Sequence, residues 1–116
     1  MILDIGCGLS PQGDVNIDIA RIIPKQKPIP NFILADAQNL PFRDKCFSLA
    51  RASHIPEHIL NPIKAFEEWK RVAKIVEIYT PSAFDLDQTK DHVYTWNLHT
   101  FRNILSMVFK NVDVNY

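Results

Sequence analysis

Residues 2–20 read "ILDIGCGLSPQGDVNIDIA", and the punctuation of this stretch decides the fold. Two of the chain's three glycines, Gly6 and Gly8, stand two apart. They directly follow a short apolar run, residues 1–5, that carries an acid, Asp4. "LSPQGD" (9–14) is a turn-rich break. "VNIDI" (15–19) alternates toward a second acid, Asp18. Glycine between two strands does two things. It permits backbone angles closed to other residues, and it lets backbone N–H groups approach a ligand with no Cβ in the way.

Outward from this stretch the same pattern recurs. "PKQKPIP" (24–30) holds three prolines in seven residues, so it reads as an extended surface connection. "NFILAD" (31–36) is a third strand ending at Asp36, and "CFSLARAS" (46–53) a fourth. Asn61-Pro62 is a helix start, with Asn as N-cap and Pro at the first helical position. The helix runs to about Lys74, with Ile63, Phe66, Trp69, Val72 and Ala73 on one face. "KIVEIYTP" (74–81) is a fifth strand. Residues 82–96 are polar and irregular. Leu98, Phe101, Leu105 and Val108 mark a second helix, and "NVDVNY" (111–116) a closing strand. Near-continuous apolar strands alternating with helices predict an α/β fold around a mostly parallel sheet. Ligands of such sheets bind outside the carboxyl ends of the strands. Asp18 and Asp36 are therefore expected on the same edge as Gly6 and Gly8.

Composition narrows the function classes. The 116 residues read as one domain, 1–116, with 47% hydrophobic and 22% charged residues. A formal net charge of zero argues against nucleic acid or an anionic membrane as partner. No apolar run approaches a bilayer span, and the N-terminus lacks the features of a signal peptide. Cys7 and Cys46 have neither metal-site spacing nor a disulfide framework, which makes a cytoplasmic setting the default.

The chemistry follows from the glycine turn. A dinucleotide fingerprint needs a third glycine where this chain has Pro11, which has no N–H and a fixed φ. A pyrophosphate cradle and an NAD-dependent oxidoreductase are thereby disfavoured. An acid ending the second strand can instead accept hydrogen bonds from a ribose diol. An acid before the first glycine can hold the loop amides or a bound ammonium.

Five segments in order resemble the class I S-adenosylmethionine-dependent methyltransferases, in a compact form. They are "LDIGCG", "VNIDI", "ADAQNLPFRDKCFSLARASH", the "IPEH" loop with its helix, and "DHVYTWNLHTFRNIL". The resemblance implies a Rossmann-like, minimal methyltransferase fold with flanking helices and S-adenosylmethionine as cofactor. It places Asp4, Gly6, Cys7 and Gly8 around the methionine portion of the cofactor. Asp18 falls on the ribose, Ile19 and Ala37 beside the adenine, and Asp36 on the adenine amino group. Ser53 and His54 fall at the methionine end, facing the acceptor. The implied acceptor is a small or glycan-like molecule shaped by 53–60 and 82–96. The alternative is a non-catalytic methyltransferase-like domain that binds a nucleoside or a protein. The chain departs from the family in several places. Gly8 and Asp18 are close in sequence, Ser48 replaces an acid, and Pro56 replaces the leucine of "LEH". The sequence starts at the first strand without the family's usual preceding helix, so the expectation is an open pocket, a reduced affinity, or a cover supplied by a partner chain.

The remaining candidates read as follows. His54, Glu57 and His58 do not have zinc-protease spacing; either histidine could serve as a base if the acceptor must lose a proton. Tyr94 and Trp96 read equally as an acceptor pocket or as packing of the loop on the sheet, whereas His92 reads first as a surface histidine and second as a substrate contact. Trp69 is core. No obligatory catalytic residue is named by the sequence. Exposed sheet edges in so short a form would suit a homodimer.

Overall fold

A computed structural model describes residues 1–8, 11–19, 30–53, 59–80 and 98–113. Five strands, β1 (Ile2–Ile5), β2 (Val15–Asp18), β3 (Phe32–Leu34), β4 (Phe47–Ser53) and β5 (Ala73–Tyr79), form one sheet in the order β3-β2-β1-β4-β5. All four pairings are parallel. Helices α1 (Pro62–Val72) and α2 (Leu98–Ser106) complete the described elements. The central position of β1 puts its carboxyl end, and the glycine turn after it, in the middle of the binding edge.

Alternation assigns the two sheet faces. Leu3, Ile5, Ile17, Ala50 and Ala52 are fully buried and share one core with Phe66, Trp69 and Val72 of α1. Phe66 also stacks obliquely on Phe101 of α2, with ring centroids 6.4 Å apart. On the opposite face the register aligns Asp4 with Asn16, Asp4 with Arg51, and Arg51 with Glu77.

α1 begins as its residues dictate. The Asn61 side chain accepts from the Lys64 amide at 3.2 Å, and Pro62 occupies the first turn. Its buried stripe is Pro62, Ala65, Phe66, Trp69 and Val72. Ile63, expected in that stripe, is only half-buried. The small Ala65 turns inward instead, which lets the helix sit close to the sheet. Ala73, also expected on the helix, is already extended (φ −131°, ψ 150°) and opens β5 with no intervening loop. Lys70 and Arg71 in the last turn complement the helix dipole.

Arg71 also ties α1 to the segment before β4. Its guanidinium donates to the carbonyls of Phe42 (2.7 Å) and Leu40 (3.0 Å) and pairs with Glu68 and Asp44. Glu68 in turn accepts from the Leu40 amide at 2.7 Å. The Arg71 hydrogen bond, foremost, holds the Glu68 carboxyl below its ordinary value.

Two expectations change in outline. β3 is shorter than 31–36, because Asn31 takes a left-handed φ of 49° at its entry and Asp36 already turns. Asn111 is a bend and 112–113 form no strand, so the expected closing strand does not start there, and 114–116 lie outside the described residues. The same holds for His54, Glu57, His58, His92, Tyr94, Trp96 and the whole 82–96 segment. No described helix is long and apolar enough to cross a membrane.

Candidate functional site

The turn after β1 uses its glycines for backbone shape. Gly6 and Gly8 have φ of 69° and 54°, a region that L side chains rarely enter. The amides of Gly6 and Cys7 both donate to the Ile17 carbonyl at 2.9 Å, folding the turn back against β2. The Gly8 amide donates to Asp18 Oδ2 at 2.9 Å. Among the described residues, a Cβ placed on Gly8 would meet nothing within 4 Å.

Asp4 is 4% exposed. Its Oδ2 accepts from the Gln12 amide at 2.7 Å, which pins the 11–14 turn over β1. Burial pushes its carboxyl above the ordinary value, against the lowering effects of the Gln12 amide and Arg51. Asp14 completes the turn by accepting from the Ile2 amide at 2.8 Å.

Asp4, Gly6, Cys7 and Ser53 line one cavity of about 520 Å3, together with Gln12, Arg51 and Tyr79. Gly8 and Asp18 adjoin it through their hydrogen bond. Ile19, the next residue along, is 71% exposed, an uncovered apolar side chain at the end of β2. Asp36 and Ala37 sit apart, beyond β3. Asp36 is exposed, and its Oδ1 accepts from the Gln38 amide at 2.8 Å, capping its own turn. The Ala37 carbonyl accepts from Trp69 Nε1 at 3.0 Å. Trp69 is thus more than core: it anchors the segment that carries Asp36.

Cys7 is buried, and desolvation, helped by Asp18 and Asp4, pushes its thiol up to about 11. It stays a neutral packing group at physiological pH. In the folded chain at pH 8, iodoacetamide should label exposed Cys46 and spare Cys7, with peptide mapping as the readout. Rapid labelling of both would contradict this placement.

Arg51, Glu77, Gln12 and Tyr79 were not read as site residues from the sequence. A signal was present: Arg51 and Glu77 are charged residues in the interior of parallel strands whose neighbouring positions are apolar.

The fold and this rim define a Rossmann-like α/β domain with its ligand edge at the carboxyl ends of its strands. Residues 5–75 match the family model described as "Methyltransferase domain", and the chain belongs to that family. It is 30% identical over 86 residues to a demethylmenaquinone methyltransferase of Paenarthrobacter aurescens (strain TC1), covering 63% of this chain and 34% of that protein. It is also 30% identical over 121 residues to a sterol 4-C-methyltransferase of Caenorhabditis elegans, covering 80% of this chain and 35% of that protein. The chain therefore spans about a third of the length of these curated relatives.

Proposed function

We propose that this chain binds S-adenosylmethionine along the β1–β2–β3 rim and supports transfer of its methyl group to a small-molecule acceptor. The observation that carries the reading is the Gly6–Gly8 turn. Among the described residues it has no neighbour within 4 Å of a Cβ at Gly8, and it is held there by Asp18, the acid assigned to the ribose. The donor set fits the group. Carboxylates of Asp18 and Asp36 can accept from hydroxyl and amino hydrogens, and exposed Ile19 offers a flat ring an apolar face. Asp4, Gly6 and Cys7 border the cavity where the amino-acid end would lie.

When bound, the cofactor supplies an electrophilic methyl on its sulfonium. The residues of this chain then have to bind, orient and exclude water, which can supply much of a rate enhancement. Asp4 contributes indirectly by fixing Gln12 and hence the turn at the cavity wall. Both relatives are named for methylation of small molecules, demethylmenaquinone and a sterol, which supports a small acceptor here.

Titration calorimetry with S-adenosylhomocysteine tests binding, and labelled methyl transfer to a panel of small acceptors tests catalysis. Asp18→Ala should weaken S-adenosylhomocysteine binding by about 1–3 kcal/mol, the cost of unpairing buried polar groups. Unchanged affinity in that variant would remove Asp18 from the site. No heat and no thermal shift at millimolar ligand would refute the reading as a whole.

A further inference from the structure

Arg51 and Glu77 need an explanation that stability does not supply. They face each other in register across β4 and β5. Arg51 Nε and Nη2 both reach a single oxygen, Glu77 Oε2, at 3.2 Å. That oxygen also takes the Tyr79 hydroxyl at 3.4 Å. A strong guanidinium–carboxylate pair uses both oxygens at shorter distances. With side chains 34% and 40% exposed, this pair is also solvent-screened and worth little to folding. Among the described residues Arg51 Nη1 has no hydrogen-bond partner. Arg51 meanwhile forms part of the cavity wall with Gly6 and Cys7.

We propose that Arg51 recognises the carboxylate at the amino-acid end of the ligand in this cavity, and that Glu77 is its built-in place-holder. This rests on the cofactor reading above. Glu77 keeps the guanidinium in place through one oxygen and leaves an edge of the fork for a second carboxylate. A loose internal pair positions the cation without saturating it. Arg51 suits this task because its planar fork of N–H donors matches the two oxygens of a carboxylate.

Titration calorimetry on the full chain, with two ligands, tests the proposal. One is S-adenosylhomocysteine. The other is its decarboxylated analogue, which keeps the ammonium and lacks only the carboxylate. The wild type should prefer S-adenosylhomocysteine by about tenfold or more, the range of a hydrogen bond to a charged group. Arg51→Met should reduce that preference to within about twofold and leave the analogue's affinity unchanged. Glu77→Gln, which removes the competing charge, should tighten S-adenosylhomocysteine binding several-fold and leave the analogue unaffected. Equal weakening of both ligands in Arg51→Met would make Arg51 a structural residue and overturn the proposal. So would a retained tenfold preference in that variant, or failure of Glu77→Gln to strengthen binding. If the wild type binds both ligands equally, the carboxylate assignment fails and the cofactor reading survives. If it binds neither, both fall.

Discussion

Trp69→Ala should cost about 3–5 kcal/mol of stability, the range for emptying a buried indole site. Against a total of about 5–15 kcal/mol for a small domain, that removes a large share of the folded population's margin. Trp69 is fully buried, and its ring meets Phe66 edge-on at 5.4 Å with an interplanar angle of 66°. Its neighbours, Val72 and the inward sheet residues, belong to strands and a helix that cannot easily collapse into the gap. The substitution also strands the Ala37 carbonyl that Trp69 Nε1 serves at 3.0 Å. Urea unfolding measures the loss. Trp69→Phe is the intermediate case, because it retains one aromatic ring while deleting the donor and part of the indole volume. It should cost less than Trp69→Ala, about 2 kcal/mol, shared between the unpaired carbonyl and the smaller cavity. A Trp69→Ala protein as stable as the wild type would show that the core does not close around this residue.

Gly13→Ala should cost about 3 kcal/mol, the upper end of overpacking effects. A Cβ there would stand 2.6 Å from the Val15 carbonyl oxygen and 2.7 Å from the Asp4 amide nitrogen. Both obstacles are backbone, one on β2 and one on β1, so neither can swing aside. Relief requires parting the turn from the sheet. The same turn is braced by Asn16, fully buried, whose amide bonds the Gly13 amide and carbonyl at 2.9 and 3.1 Å. Gly8→Ala is the informative contrast. Its Cβ meets none of the described residues within 4 Å, so it carries only the strain of a positive φ, about 1–2 kcal/mol. Thermal unfolding of the two variants side by side checks the ranking, and Gly8→Ala as the more disruptive would reverse it.

The strands could be read from the sequence because parallel strands write themselves as apolar runs, and α1 because Asn61-Pro62 marks its start. What could not be read was proximity between segments. Arg51 and Glu77 look like two isolated charges until β4 and β5 are placed in register. Trp69 reads as an apolar stripe residue until its indole nitrogen is found on Ala37, 32 positions away. Gly13 looks like turn filler, because the two strands that crowd it meet only in three dimensions. Asp36 was read toward a ligand, and its strongest local partner is the Gln38 amide of its own turn. Local chemistry names the acids and glycines, while sheet register decides which of them become neighbours.

The direct passage from α1 into β5 leaves helix-terminal carbonyls with no turn to receive them. A distant cation takes that place. Lys45 Nζ donates to the carbonyls of Lys70 at 2.6 Å and Ala73 at 3.0 Å, and its own amide donates to Arg71 at 2.7 Å. The last helical turn and the stretch leading into β4 are thus one latch with two halves. Neither half can come undone while the other stays closed, so this corner opens and shuts as a single cooperative unit.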